Sequence, residues 1–178
     1  MRRTQIPVTQ LSFPLFHTFD SKWLLLAVGD FARKTFNAMT ISWGSFGVVW
    51  GKPFAQVFVR KSRYTYEFME QVESFTLSVF PEEYRKDLSY CGSHSGRLGD
   101  KFAVAGFTPV ASLCVLAPAF EEAELCIECR KIYFSDIFPE HFLDQSIQKN
   151  YPAPQDYHRV YFGEVVAVSG TSAYLVAD

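Results

Sequence analysis

Seven short segments rich in β-branched and aromatic residues run the length of the chain: "KWLLLAVG", "NAMTISWG", "FAQVFVR", "SFTLSVF", "VASLCVLAP", "AELCIECRKIYF" and "YHRVYFGEVVAVSG". Each is bounded by Gly, Pro, Asp or Ser, residues that end a strand and turn the chain. Seven such strands predict a mainly β protein, a mostly antiparallel sheet or barrel. No linker, charge block or repeat divides the 178 residues, so a single domain over 1–178 is expected. Apolar residues make up 48% and aromatics 17% of the chain, enough for a core with rings to spare for a ligand slot or subunit interface.

Helices are predicted to be few, short and peripheral. Ser62 is placed to cap one running from Arg63 to Val72, where Tyr64 and Phe68 share a face at helical spacing. A second is expected over "PEEYRKDLSY" with Pro81 in its first turn, and a third over "DKFAVAG", ending at Gly106. One helical turn is expected after Pro139, in "EHFLDQSI".

A formal charge of −2 gives no broad positive field for phosphate backbones, so no nucleic-acid partner is expected. The N-terminal stretch carries no apolar run of signal-peptide length. The longest apolar block, Trp23 to Val28, is too short to span a bilayer. The expectation is a cytoplasmic protein with no membrane partner and four reduced cysteines.

Several constellations bear on chemistry. Cys126 and Cys129 form a C-x-x-C, but the alternation around them is that of a half-buried strand, where residues three apart face opposite ways. No second ligand pair accompanies them, so no metal site is expected. "CGSHSGR" places Cys91 and Arg97 at the C-x5-R spacing of a cysteine phosphatase loop. Leu98 stands where such loops carry Ser or Thr, and a helix precedes Cys91; the competing reading is a glycine-rich surface loop. "VRKSRYT" sets Arg60, Lys61, Ser62 and Arg63 between a strand and a helix, either a phosphate site or a capped helix with solvated basic residues. His158 opens the last strand, where a polar side chain can face a cleft. "NAMTISWGSFGVVWGKP", residues 37 to 53, holds more glycine and polarity than a plain core strand. It is read as a strand over Asn37 to Trp43 followed by a turn over Gly44 to Pro53.

Taken in order, "NAMTISWGSFGVVWGKP", "FVRKSRYTYEF", "FTLSVF", "YCGSHSGRLGDKF", "APAFEEAEL" and "YHRVYFGEVV" resemble the flavin reductase-like family of the FMN-binding split barrel, over residues 20 to 170. The resemblance implies a Greek-key split β-barrel, a homodimer, bound FMN and electron transfer between NADH or NADPH, flavin and an acceptor; an FMN-binding carrier without nicotinamide turnover is the alternative. By position it implies that Asn37, Ala38, Met39, Thr40 and Ser42 lie along the flavin ring, with Trp43 beside them. It assigns the phosphate turn to Arg60, Lys61, Ser62, Tyr64 and Thr65. It makes Ser93, Gly96, Arg97, Asp100 and Lys101 part of a closing loop, and sets His158, the implied catalytic residue, on the nicotinamide side. Glycines in the first segment fit a backbone that must approach a flat ring closely.

Overall fold

The structure, a computed structural model, describes residues 2–176. Ten strands are formed: β1 (Thr4–Gln5), β2 (Leu24–Asp30), β3 (Thr35–Ile41), β4 (Gly44–Val49), β5 (Lys52–Arg60), β6 (Ser74–Val79), β7 (Pro109–Val110), β8 (Ala119–Phe120), β9 (Leu125–Asp136) and β10 (His158–Gly170). The main sheet has the order β3-β2-β6-β9-β10-β5-β4 with β1 also on β10, and β7 pairs β8 separately. Every pairing is antiparallel. The helices are α1 (Leu15–His17), α2 (Tyr64–Gln71), α3 (Arg85–Ser93) and α4 (Lys101–Ala105), with short 3-10 and π turns between elements. The mainly β class with a few short helices is as expected.

The central strands are apolar on both faces because each face has its own cover. Along β2, Leu24, Leu26 and Val28 enter the main core with Phe75, Leu77, Ile127 and Tyr161. Leu25 and Ala27 point the other way, into a second cluster with Leu88, Cys91, Phe107 and Phe120. That cluster ties α3 and α4 to the sheet, and so fixes one wall of the site described below. No helix of the described residues is long and apolar enough to cross a membrane.

Five local expectations need correction. "VASLCVLAP" is not a strand: residues 111 to 118 cross as an irregular segment between β7 and β8. Its N–H groups find an acceptor without a ladder, since the buried carboxylate of Glu128 accepts from Leu113 N–H at 2.7 Å and Cys114 N–H at 2.6 Å. Gly44 to Pro53 is not a turn but a hairpin, β4 against β5, closed at Trp50 and Gly51 with φ of 53° and 70°. Two successive left-handed residues make the turn whose twist suits a hairpin. Ser62 does not cap α2; the N-cap position is Arg63, whose guanidinium has no acceptor to offer the free N–H groups, and the Ser62 hydroxyl donates to Asp156. The strand carrying Cys126 and Cys129 is not half-buried there but buried on both faces, being central in the sheet. The single turn after Pro139 is two 3-10 segments, Pro139–His141 and Gln145–Asn150.

The remaining helices form near their expected positions. The "PEEYRKDLSY" region begins as a 3-10 turn at Glu82–Tyr84 and continues as α3 through Ser93. Asp100 caps α4, accepting from Phe102 N–H at 3.0 Å and Ala103 N–H at 3.2 Å, and the helix ends at Gly106.

Candidate functional site

Strand β3 is an edge of the sheet, so among the described residues no strand occupies its outer side. There α2, α3 and the segment 94–100 bank a groove of three adjoining cavities. The first, about 210 Å³, runs from Met39 to Trp43 and reaches Phe58, Arg60 and His158. The second, about 170 Å³, is walled by Ser62, Arg63, Thr65, Ser93 and Arg97. The third, about 580 Å³, is lined by Phe31, Phe36, Phe68, Phe102 and Asp100. Met39, Arg63 and Gly92 border both the first and the second. Asn37, Tyr64, Gly96 and Lys101 border both the second and the third.

Most residues singled out from the sequence, scattered over more than a hundred positions, meet in this groove. Asn37, Met39, Thr40, Ser42, Trp43, Arg60, Ser62, Tyr64, Thr65, Ser93, Gly96, Arg97, Asp100, Lys101 and His158 all line it. Two do not. The Ala38 methyl is fully buried in the second core cluster, leaving only its backbone to the groove wall. Lys61 pairs with Asp136 at 2.7 Å and lines none of the three cavities.

Packing fixes the floor. Asn37, nearly sealed from solvent, donates from Nδ2 to Thr65 Oγ1 at 2.9 Å, tying β3 to α2. A Cβ at Gly96 would come within 2.4 Å of Asn37 Oδ1, so the 94–100 segment can pass only without a side chain there. Thr40 Oγ1 donates to the Leu88 carbonyl, tying the same strand to α3. Some polar groups are already engaged: Ser93 Oγ bonds back to Ser89 O at 2.9 Å, Arg97 pairs with Glu67 while lying 4.7 Å from the Tyr64 ring, and Ser62 holds Asp156.

The charge distribution is uneven in a way that suits an anion. Lys101 is 4% exposed, yet among the described residues its ammonium has only the carbonyls of Cys91 (3.2 Å) and His94 (3.3 Å) as partners and no carboxylate. Burial holds its pKa below the usual lysine value. Arg63 bonds only Gly92 O at 3.2 Å, and Arg60 only Asn150 O at 2.8 Å while lying over the Tyr151 ring. Among the described residues, none of these three cations has an ion-pair partner. A buried cation without a counter-charge is costly, and a bound anion removes that cost.

His158 sits at the other end of the groove, 7% exposed, with Nδ1 2.9 Å from the Tyr151 hydroxyl and its ring 5.1 Å from that of Trp43. Burial first, then the positive charges of Arg60 and Arg63, push its pKa down to about 4, so the ring is neutral at pH 7. In the unfolded chain the same group titrates near 6.5. Between those values the unfolded state binds the extra proton, so stability is lost as pH falls from about 6.5 toward 4. The expected loss is on the order of 2–3 kcal/mol. Urea unfolding at pH 7 and pH 4.5 checks this, because His158→Gln should show a smaller acid loss than the parent.

Cys91 is not a surface-loop cysteine, and its setting does not suit a phosphatase nucleophile. It lies in the last turn of α3, 1% exposed, and burial pushes its thiol up to about 11. A helix C-terminus presents carbonyls, which disfavour a thiolate. Cys91→Ser should therefore leave any activity unchanged. Cys126 and Cys129 are likewise buried, their thiols raised by desolvation. Among the described residues no group of three or more His, Cys, Asp or Glu side chains is placed to hold a metal ion.

Sequence reasoning named Arg63 in the basic cluster of "VRKSRYT" as part of a phosphate site or a capped helix, the family resemblance did not carry it into the phosphate turn, and both passed over Tyr151 and Asp156. Tyr151 and Asp156 lie in the irregular connection between β9 and β10, which has no periodicity to place them.

The fold has counterparts among known proteins. Structures sharing the fold include an FMN-binding domain of a flavin reductases-like enzyme from Shewanella baltica OS155, with TM-score 0.67 and 15% identity over 95% of this chain and 77% of that one. Flavoredoxin of Desulfovibrio vulgaris (Miyazaki F) aligns with TM-score 0.67 and 24% identity, over 100% of this chain and 83% of that one. A Streptomyces globisporus NADH:FAD oxidoreductase aligns with TM-score 0.64 and 18% identity, over 89% and 80%. A search of curated protein sequences gives no match. The fold is thus that of the split barrels, with the groove along its β3 edge. A match to the flavin reductase like domain spans residues 23–176, from the start of β2 past the end of β10, and it is to this family that the chain belongs.

Proposed function

We propose that the groove binds FMN and that the protein moves electrons between NADH or NADPH, the flavin and a small-molecule acceptor. The observation that carries this reading is the buried, carboxylate-free ammonium of Lys101, set with Arg63 beside an edge strand whose outer side is open. Such an edge offers backbone donors and acceptors to a flat heterocycle, and Thr40 and Ser42 add hydroxyls. Arg60, Arg63, Tyr64 and Thr65 supply charge and hydroxyl groups suited to a phosphate, while the Ser62 hydroxyl is held by Asp156. When bound, a flavin accepts a hydride and returns electrons singly or in pairs, so this chain supplies no nucleophile. Its residues orient the ring, neutralise charge through Lys101 and Arg63, and hold a neutral His158 beside the opening.

Anaerobic mixing of the FMN-loaded protein with NADH and then NADPH tests the reaction. Bleaching of the visible flavin bands by one of them is expected. Retention of colour with both would reject nicotinamide turnover and leave a carrier that holds FMN.

We also propose a homodimer. Trp50, 64% exposed, and Tyr133, 48% exposed, cluster with Phe162 and Phe54, ring centroids 5.4–6.3 Å apart, as an aromatic surface on the sheet. Rings enriched at interfaces bury best against a second copy. Light scattering of Trp50→Glu should report a monomer where the parent is a dimer; a parent that is itself monomeric would reject the pairing.

A further inference from the structure

The irregular connection from β9 to β10 is packed over the His158 end of the groove rather than away from it. Asn150 O accepts from Arg60 at 2.8 Å. The Tyr151 ring, 5% exposed, is fixed between the Arg60 guanidinium at 5.1 Å and the rings of Tyr157 (4.7 Å) and Phe142 (6.0 Å). Its hydroxyl meets one partner, His158 Nδ1, at 2.9 Å.

The direction of that bond follows from what each group lacks. If Nδ1 carried the proton and donated, the buried phenol hydrogen would have no acceptor, since Tyr151 Oη makes no other hydrogen bond among the described residues. If the phenol donates, Nδ1 is the acceptor and both groups are satisfied. Burial raises the Tyr151 pKa, which keeps the phenol a donor. Among the described residues His158 Nε2 has no hydrogen-bond partner, and it is not one of the sealed, unpartnered atoms there, which are Arg3 Nε and Ser78 Oγ. The first cavity, which His158 lines beside Trp43, is where that nitrogen is free to meet a ligand.

From this we infer that Tyr151 is a positioning residue: by donating to Nδ1 it fixes the His158 proton on Nε2, and so presents an N–H donor to the cleft. The tautomer of a neutral imidazole is set by the bond its other nitrogen makes. A donor at that point selects a ligand that brings a carbonyl or carboxamide oxygen to the opening, and disfavours one that brings an N–H. The role of that donor in turnover rests on the flavin reading above; the tautomer itself does not.

The test is the nitrogen-15 spectrum of the His158 ring at pH 7, read through its carbon-bound protons, in the full-length protein without flavin and then with FMN. A single Nε2–H tautomer is expected in both. Tyr151→Phe should give a mixture of tautomers, with FMN affinity unchanged and nicotinamide-dependent flavin reduction about tenfold slower. An Nδ1–H tautomer in the parent overturns the inference even if the variant fails to fold, and so does a Tyr151→Phe spectrum identical to the parent's. If the parent shows no flavin reduction, the proposed reaction fails while the tautomer reading still decides the role of Tyr151.

Discussion

Lys101→Met is expected to weaken FMN binding about 100-fold while leaving the ligand-free protein at least as stable as the parent. The ammonium is buried at the junction of two cavities with only two long carbonyl contacts. A charge-assisted contact to an anion is worth about 2–3 kcal/mol, which is near two decades of affinity. Without the ligand the same charge is a burden, and replacing a poorly compensated buried ion by an apolar side chain of similar length is neutral or stabilising. Flavin fluorescence titration and thermal melting read the two effects separately. A sharp fall in the melting temperature of the ligand-free variant would mean that Lys101 is held for the fold. The pH dependence gives an independent sign. Burial depresses the Lys101 pKa, so above the folded value and up to about 10.4 the unfolded chain binds the extra proton, and stability rises with pH in that window. Lys101→Met should lack that rise.

Gly29→Ala is expected to be the most damaging small substitution at the start of the groove. Gly29 lies near the end of β2 with φ of 123°, and a Cβ there would fall 2.3 Å from Thr35 O and 2.5 Å from Phe36 Cα. Both obstacles are backbone or next to it, so they yield only if the β2–β3 hairpin shifts, and the conformation is one that residues with a Cβ avoid. The two effects together should cost about 3 kcal/mol or more. For a domain of this size that is a fall in melting temperature of about 6–12 °C. Because Thr35 and Phe36 line the third cavity of the groove, the surviving folded fraction should also bind FMN more weakly.

The sequence carried the fold where apolar runs and turn residues agreed, as in "LLLAVGD" and "SFTLSVF", both buried over nearly their whole length. It misled where a tertiary partner replaced a local one. Residues 111–118 have strand-forming side chains, but Leu113 and Leu116 stay exposed, and Glu128, distant in sequence, takes the backbone N–H groups of Leu113 and Cys114 in place of a ladder. Gly44 and Gly47 read as turn residues although they sit in β4 against β5. The site was legible as a set of segments, since Asn37 to Trp43, the basic turn and "SHSGRLGDKF" converge on one groove. The engagement of individual side chains was not. Nothing in "RKSR" says that Lys61 turns to Asp136, that Ser62 meets Asp156, or that Arg63 is left free of carboxylates. Those choices are made by β9 and by the connection to β10, which only the folded chain brings near.

The most direct measurement is a titration of the purified protein with FMN, followed by visible absorbance and flavin fluorescence. The expected result is a saturable change with one flavin per chain, weakened about 100-fold by Lys101→Met. A colourless preparation whose addition leaves both signals of FMN unaltered would contradict the assignment of the β3 groove as a flavin site.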